Sequence, residues 1–158
     1  MKRYGGLLFC IALTVASVCA TFFFSGQNAE ASGNLSGGIV RWLLARIAPG
    51  YTEQVYHAWS FFLRKAAHFT LYLLLGIGLS GSLQWQKRLP PWATAIALGT
   101  LFAAADELHQ LFSPGRSAQL TDVLLDACGV ATGTLVVYLI YRMEKKKQEK
   151  APPPDGTE

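Results

Sequence analysis

Residues 106–126 read DELHQLFSPGRSAQLTDVLLD. Asp106, Glu107, His109, Gln110, Arg116, Asp122 and Asp126 crowd into this stretch, yet the segments on both sides of it are apolar enough to lie in a membrane. At its centre, Ser113, Pro114 and Gly115 signal a chain reversal, proline by its fixed φ and glycine by its tolerance of positive φ. The stretch therefore reads as the bend between two apolar helices, with ionisable groups on either side of the turn. A carboxylate near the bilayer centre costs roughly 2.5 to 3.5 kcal/mol on insertion scales, so such a cluster marks a candidate functional site.

The helix before the bend, about 92–112, carries one polar and small-residue side. With Asp106 taken as the origin, Gly99, Ala103, Gln110 and Ser113 lie within about 60° of it at 100° per residue. The helix after the bend, about 119–141, repeats the pattern: Asp122, Asp126, Gly129 and Gly133 share one face within about 40°. Gly129 and Gly133 form a GxxxG pair, which permits close approach of another helix or of a second copy in a homo-oligomer.

Two further apolar runs stand upstream. Residues 4–24 span about 30 Å as a helix, the thickness of the hydrocarbon layer, and are expected to stay as a span rather than be cleaved as a signal peptide. Thr52 caps a second helix that runs on into a span at 66–83, where Arg64, Lys65, His68 and Tyr72 place polar groups on its first turns. Between these runs, SGQNAEASGNLSGG reads as a loop, and 35–48 as an amphipathic helix with Leu35, Ile39, Trp42, Leu43 and Ile47 on its apolar side. It lies either in the membrane interface or on the bundle.

The expected fold is all-α: a polytopic membrane bundle of four transmembrane helices with an extracytoplasmic loop carrying one or two short helices. Composition agrees, with 51% hydrophobic and 15% charged residues against about 25% charged in soluble domains. The transmembrane domain is 1–144, and 145–158, KKKQEKAPPPDGTE, reads as a disordered cytoplasmic tail. Cys10, Cys19 and Cys128 lie in apolar runs without CxxC spacing, which supports neither disulfides nor a zinc motif.

The net charge of +4 gathers in short clusters beside apolar runs, so membrane lipids are the expected partners and nucleic acid is not. Lys2, Arg3, Lys87, Arg88, Arg142, Lys145, Lys146, Lys147 and Lys150 fall on one side of a four-span arrangement, nine against the five of Arg41, Arg46, Arg64, Lys65 and Arg116. The positive-inside rule then puts both termini in the cytoplasm of a bacterial inner membrane. It also brings His68, Tyr72, Asp106 to Gln110, Asp122 and Asp126 within roughly 10 Å of the extracytoplasmic interface, on three successive helices. The competing structural reading is that pairs such as Arg116 with Asp122, or Lys65 with Glu107, simply fix helix packing.

RKAAHFTLYLLLG on the second span and DELHQLFSPGRSAQLTDVLLDACGVATG on the third and fourth resemble the two signature blocks of the VanZ-like family of bacterial integral membrane proteins, and FSGQ resembles a shorter one. The resemblance covers about residues 4–141. It implies a cell-envelope protein akin to an accessory protein of glycopeptide, and specifically teicoplanin, resistance. Arg64, Lys65, His68 and Tyr72 match the first block; Asp106, Glu107, Gln110, Arg116, Ser117 and Asp122 match the second. Asp126 stands where the family often has asparagine, and His109 is not carried over.

Two functions follow. In the first, Arg64, Lys65, His68, Tyr72, Glu107, Gln110, Arg116, Ser117 and Asp122 bind an anionic envelope lipid or lipid-linked precursor, the arginine forks suiting phosphate. In the second, an intramembrane hydrolase or transferase acts on an envelope lipid or glycan, with His68 as base or nucleophile partner and Asp106, Glu107 or Asp122 as acid, base or divalent-metal ligand. There is no GxSxG, HExxH or paired-histidine spacing, so no metal or other cofactor is expected from motifs. A proton-coupled carrier is a smaller third reading, disfavoured by the absence of broken-helix pairs.

Overall fold

The computed structural model describes residues 2–27, 29–84, 89–115 and 117–149, with Lys2, Arg3 and residues 29–31 described by backbone alone. Five helices follow one another, α1 (Lys2–Ser25), α2 (Ala29–Ile47), α3 (Glu53–Leu83), α4 (Pro91–Gln110) and α5 (Leu120–Glu149), and no strand occurs among the described residues. Among the described residues, three segments, Tyr4–Ser25, Glu53–Leu83 and Leu120–Glu149, are long and apolar enough to cross a membrane. α4 does not join them, because its last turns hold Asp106, Glu107, His109 and Gln110 among otherwise small and apolar residues.

α3 is the centre of the bundle and touches each of the other four helices, most extensively α5 and α1. Its N-cap forms as the sequence predicts: the Thr52 side chain accepts from the Val55 amide at 3.4 Å. At 31 residues α3 is about 46 Å long, so it exceeds a hydrocarbon layer by several turns. The close approach of α3 and α5 rests on glycine. A Cβ on Gly76 would strike the backbone of Val130, one on Gly133 the carbonyl of Leu73, and one on Gly129 would lie 2.7 Å from the carbonyl of Phe69. The Gly129 and Gly133 face is thus occupied inside the chain and does not lie open to a second copy.

The distribution of polarity is the reverse of a water-soluble bundle. Ser17, Thr21, Ser25, Ser80, Asp106, Gln110, Asp126 and Thr134 are buried, while Phe9, Phe23, Leu101, Leu108 and Leu124 are exposed. Outward apolar faces around a polar interior are what a lipid environment selects.

Two segments differ from expectation. The glycine-rich run after α1 is helical from Ala29 rather than a loop, and α2 has 19 residues. Gly37 is no breaker there: it lets the Tyr56 ring approach the helix. The packed face of α2 is Gly37, Val40 and Leu44, whereas Leu35, Ile39, Trp42 and Ile47 are exposed. Both stripes have three- and four-residue spacing, so periodicity alone does not choose between them. At the other end, α5 continues through Lys145 to Glu149 where a tail without structure is expected. Lysine, glutamine and glutamate favour helix, and Lys145 and Glu149 face each other at 3.9 Å across one turn. Lys87, Arg88 and residues 150–158 lie outside the described residues.

Candidate functional site

The C-terminal ends of α1 and α4, the first half of α3 and the N-terminal end of α5 meet at one end of the bundle. The connection between α4 and α5 turns as read: Phe112 donates to the His109 carbonyl at 3.1 Å, Ser113 to that of Gln110 at 3.0 Å, and Gly115 has φ 78°. Glycine supplies that positive φ without the steric cost of a side chain. The turn is fastened twice, once from α1 and once from α4. The Ser113 hydroxyl donates to the Ser25 carbonyl at 3.3 Å, and the Gln119 amide donates to Glu107 Oε2 at 3.0 Å.

Each acidic side chain finds a different environment. Lys65 Nζ pairs with Asp122 Oδ1, both side chains keeping about a fifth to a quarter of their surface, 21% and 24%. Asp106 is enclosed, and its Oδ2 accepts from the Ser25 hydroxyl at 2.7 Å and from Gln110 Nε2 at 3.2 Å. Asp126 is also enclosed, with His68 Nδ1 3.7 Å from its Oδ2. Tyr72 is fully buried and borders Asp106 and Asp126. One ligand atom from each of His68, Asp106 and Asp126 lies within 4.8 Å of the others.

Arg64, Lys65, His68, Gln110, Ser117 and Asp122 line a common polar recess of about 140 Å³. Glu107 does not line it, being turned to the start of α5, and Tyr72 lies deeper. Arg116 lies outside the described residues, so its expected pairing with Asp122 is not part of this geometry. Lys65 pairs with Asp122 and not with Glu107. His109 stacks on Phe22 with ring centroids 4.6 Å apart, a packing contact away from the recess.

Beside the recess runs an apolar groove of about 500 Å³ between α1, α2 and α3, lined by Phe24, Leu35, Ile39, Leu63, Leu71 and others. Arg64 and His68 belong to both linings. Sequence reasoning does not find this groove, because α2 is needed to form its far wall. Nor does it assign Ser25 to the site. The FSGQ signature contains that serine, and its contact with Asp106, 81 residues on, gives the signature a physical reason.

No curated protein and no solved structure matches this sequence. The family model described as VanZ/LLP1 matches residues 9–141, which take in α2 and α3 with their groove, all of α4 and its turn, and the acidic start of α5. With most of its length matched, the chain belongs to the VanZ/LLP1 family.

Proposed function

We propose that the protein is a multi-pass protein of the bacterial inner membrane that holds an anionic envelope lipid or lipid-linked precursor, its acyl chain in the groove and its headgroup at the recess. The observation that carries this reading is the junction of the two cavities at Arg64 and His68. Ligand sites are mostly apolar concavities with a few convergent polar groups, and a phosphate gains most from a planar guanidinium. Under this reading α4 is a fourth span: its 20 residues reach about 30 Å, and its acidic end is turned into protein rather than lipid. The basic residues counted above then favour cytoplasmic termini.

The test is a titration in nanodiscs with short-chain phosphatidylglycerol and phosphatidylcholine of equal chain length. The anionic lipid is expected to bind in preference, and Arg64→Gln, which removes the fork, and Ala67→Trp, which fills the groove that Ala67 helps to line, each to weaken it by about tenfold, or roughly 1.4 kcal/mol. Equal affinity for both lipids, or unchanged binding in both variants, overturns the reading. A role in glycopeptide resistance further requires that expression raise tolerance to teicoplanin in a sensitive host.

The second reading, an intramembrane hydrolase or transferase acting on such a lipid, is favoured by one observation: the enclosed grouping of His68, Asp106 and Asp126. Glu107 and Asp122 fit it less well, since a backbone amide and Lys65 already engage them. Turnover that survives His68→Ala at normal protein levels counts against catalysis.

A further inference from the structure

We infer that His68, Asp106 and Asp126 form a binding site for one divalent transition-metal ion of the zinc class. The three residues come from α3, α4 and α5, so no spacing along the chain announces them, and their ligand atoms gather within 4.8 Å. The inference rests on neither reading of the lipid site.

Two carboxylates stand in this enclosed interior, each 1% exposed, while the nearby Lys65 is engaged with Asp122. Enclosed charge is costly unless it is paired or coordinates a metal. The hydrogen bonds are distributed as a metal site requires. Asp106 Oδ2 is held by Ser25 and Gln110, whereas its Oδ1 and Asp126 Oδ1 accept no hydrogen bond, and Asp126 Oδ2 has His68 Nδ1 at 3.7 Å. Ser25 and Gln110 thereby act as outer partners that orient one carboxylate and leave its other oxygen for the ion.

One imidazole and two carboxylates are a zinc-type donor set, three protein ligands with a fourth position open. Bonds of about 2.0 to 2.2 Å put tetrahedral ligands roughly 3.3 to 3.6 Å apart, so the most widely spaced side-chain ends close by up to about 1.5 Å. The buried Tyr72 hydroxyl borders the two aspartates and adds a polar group to the wall of the cluster. Since His68 also lines the polar recess, an ion has a way in from the surface.

The test uses the full chain in detergent without a polyhistidine tag, stripped with chelator and titrated with zinc chloride alone, with no lipid added. One ion per chain is expected at micromolar zinc or below. His68→Ala and the isosteric Asp126→Asn are expected to weaken binding roughly 100-fold or more, and Ser25→Ala about tenfold. Glu144→Gln, at an exposed acid near the opposite end of α5, is expected to bind zinc as the parent does. Circular dichroism and gel filtration check that each variant is folded. If the ligand variants do not fold, the cobalt(II) form of the parent decides: intense visible bands of a four-coordinate ion support the site, and the weak spectrum of hydrated cobalt overturns it. No stoichiometric zinc in the parent, as for two acids sharing a proton or held by a charged His68, overturns it. Parent-like zinc binding by folded His68→Ala and Asp126→Asn does so too.

Discussion

Lys65 and Asp122 show how a single contact separates packing from chemistry at this site. Neither side chain is fully enclosed, so their pairing retains partial solvent screening and is worth less than an ion pair in a dry interior. Lys65→Met and Asp122→Asn are each expected to lower stability in detergent by about 1 to 3 kcal/mol. The double variant is expected to lose less than the sum, since it leaves neither charge alone. Strict additivity in denaturant or thermal unfolding removes the pair from the account. The sequence places both residues at one end of the bundle but pairs Lys65 with Glu107, whereas the structure pairs it with Asp122. Helical angles give direction to within about half a turn, and partner choice needs the distance between helices as well.

Among the elements, the extent of α3 and the packed face of α5 are legible in the sequence, although α5 runs on past its expected end near 141 to Glu149. Tyr72, Leu75, Gly76 and Ser80 on one, and Asp126, Gly129, Gly133 and Thr134 on the other, are buried along continuous helical faces. The reason is steric: small residues at three- and four-residue spacing leave backbone room that a lipid chain fills poorly and a helix fills well. Gly133→Leu is therefore expected to cost about 1 to 3 kcal/mol or more by overpacking, since even a Cβ meets the Leu73 carbonyl, whereas Cys128→Leu on the exposed side is expected to be nearly neutral. Equal thermal melting of the two variants contradicts this close packing. α2 was not legible in the same way. Two apolar stripes compete on it, and the choice of Gly37, Val40 and Leu44 for packing depends on Tyr56 of another helix.

At the scale of the whole molecule, exposed apolar surface encloses a polar end where four helices converge. If that end faces outward, as proposed, a cysteine introduced by Gln54→Cys in a background without Cys10, Cys19 and Cys128 is labelled in intact cells by a membrane-impermeant maleimide. One introduced by Lys147→Cys is labelled only after the cells are opened. The reverse pattern inverts the topology and places the recess in the cytoplasm, which rules out an extracytoplasmic precursor as its ligand.

The sequence alone determined that this chain is helical, that it is built for a membrane, which family it resembles, and which faces of α4 and α5 turn inward. Those properties are local, written in hydropathy, turn chemistry and helical spacing within about 20 residues. Only the tertiary structure decided which ionisable groups meet. Ser25 reaches Asp106 across 81 residues, and Asp126, which the family pattern does not fix, lies beside His68 and Asp106. A groove between α1, α2 and α3 also required three helices at once. Such contacts are set by interhelical distance, which depends on the volume of side chains from two helices together and is therefore not a property of either segment.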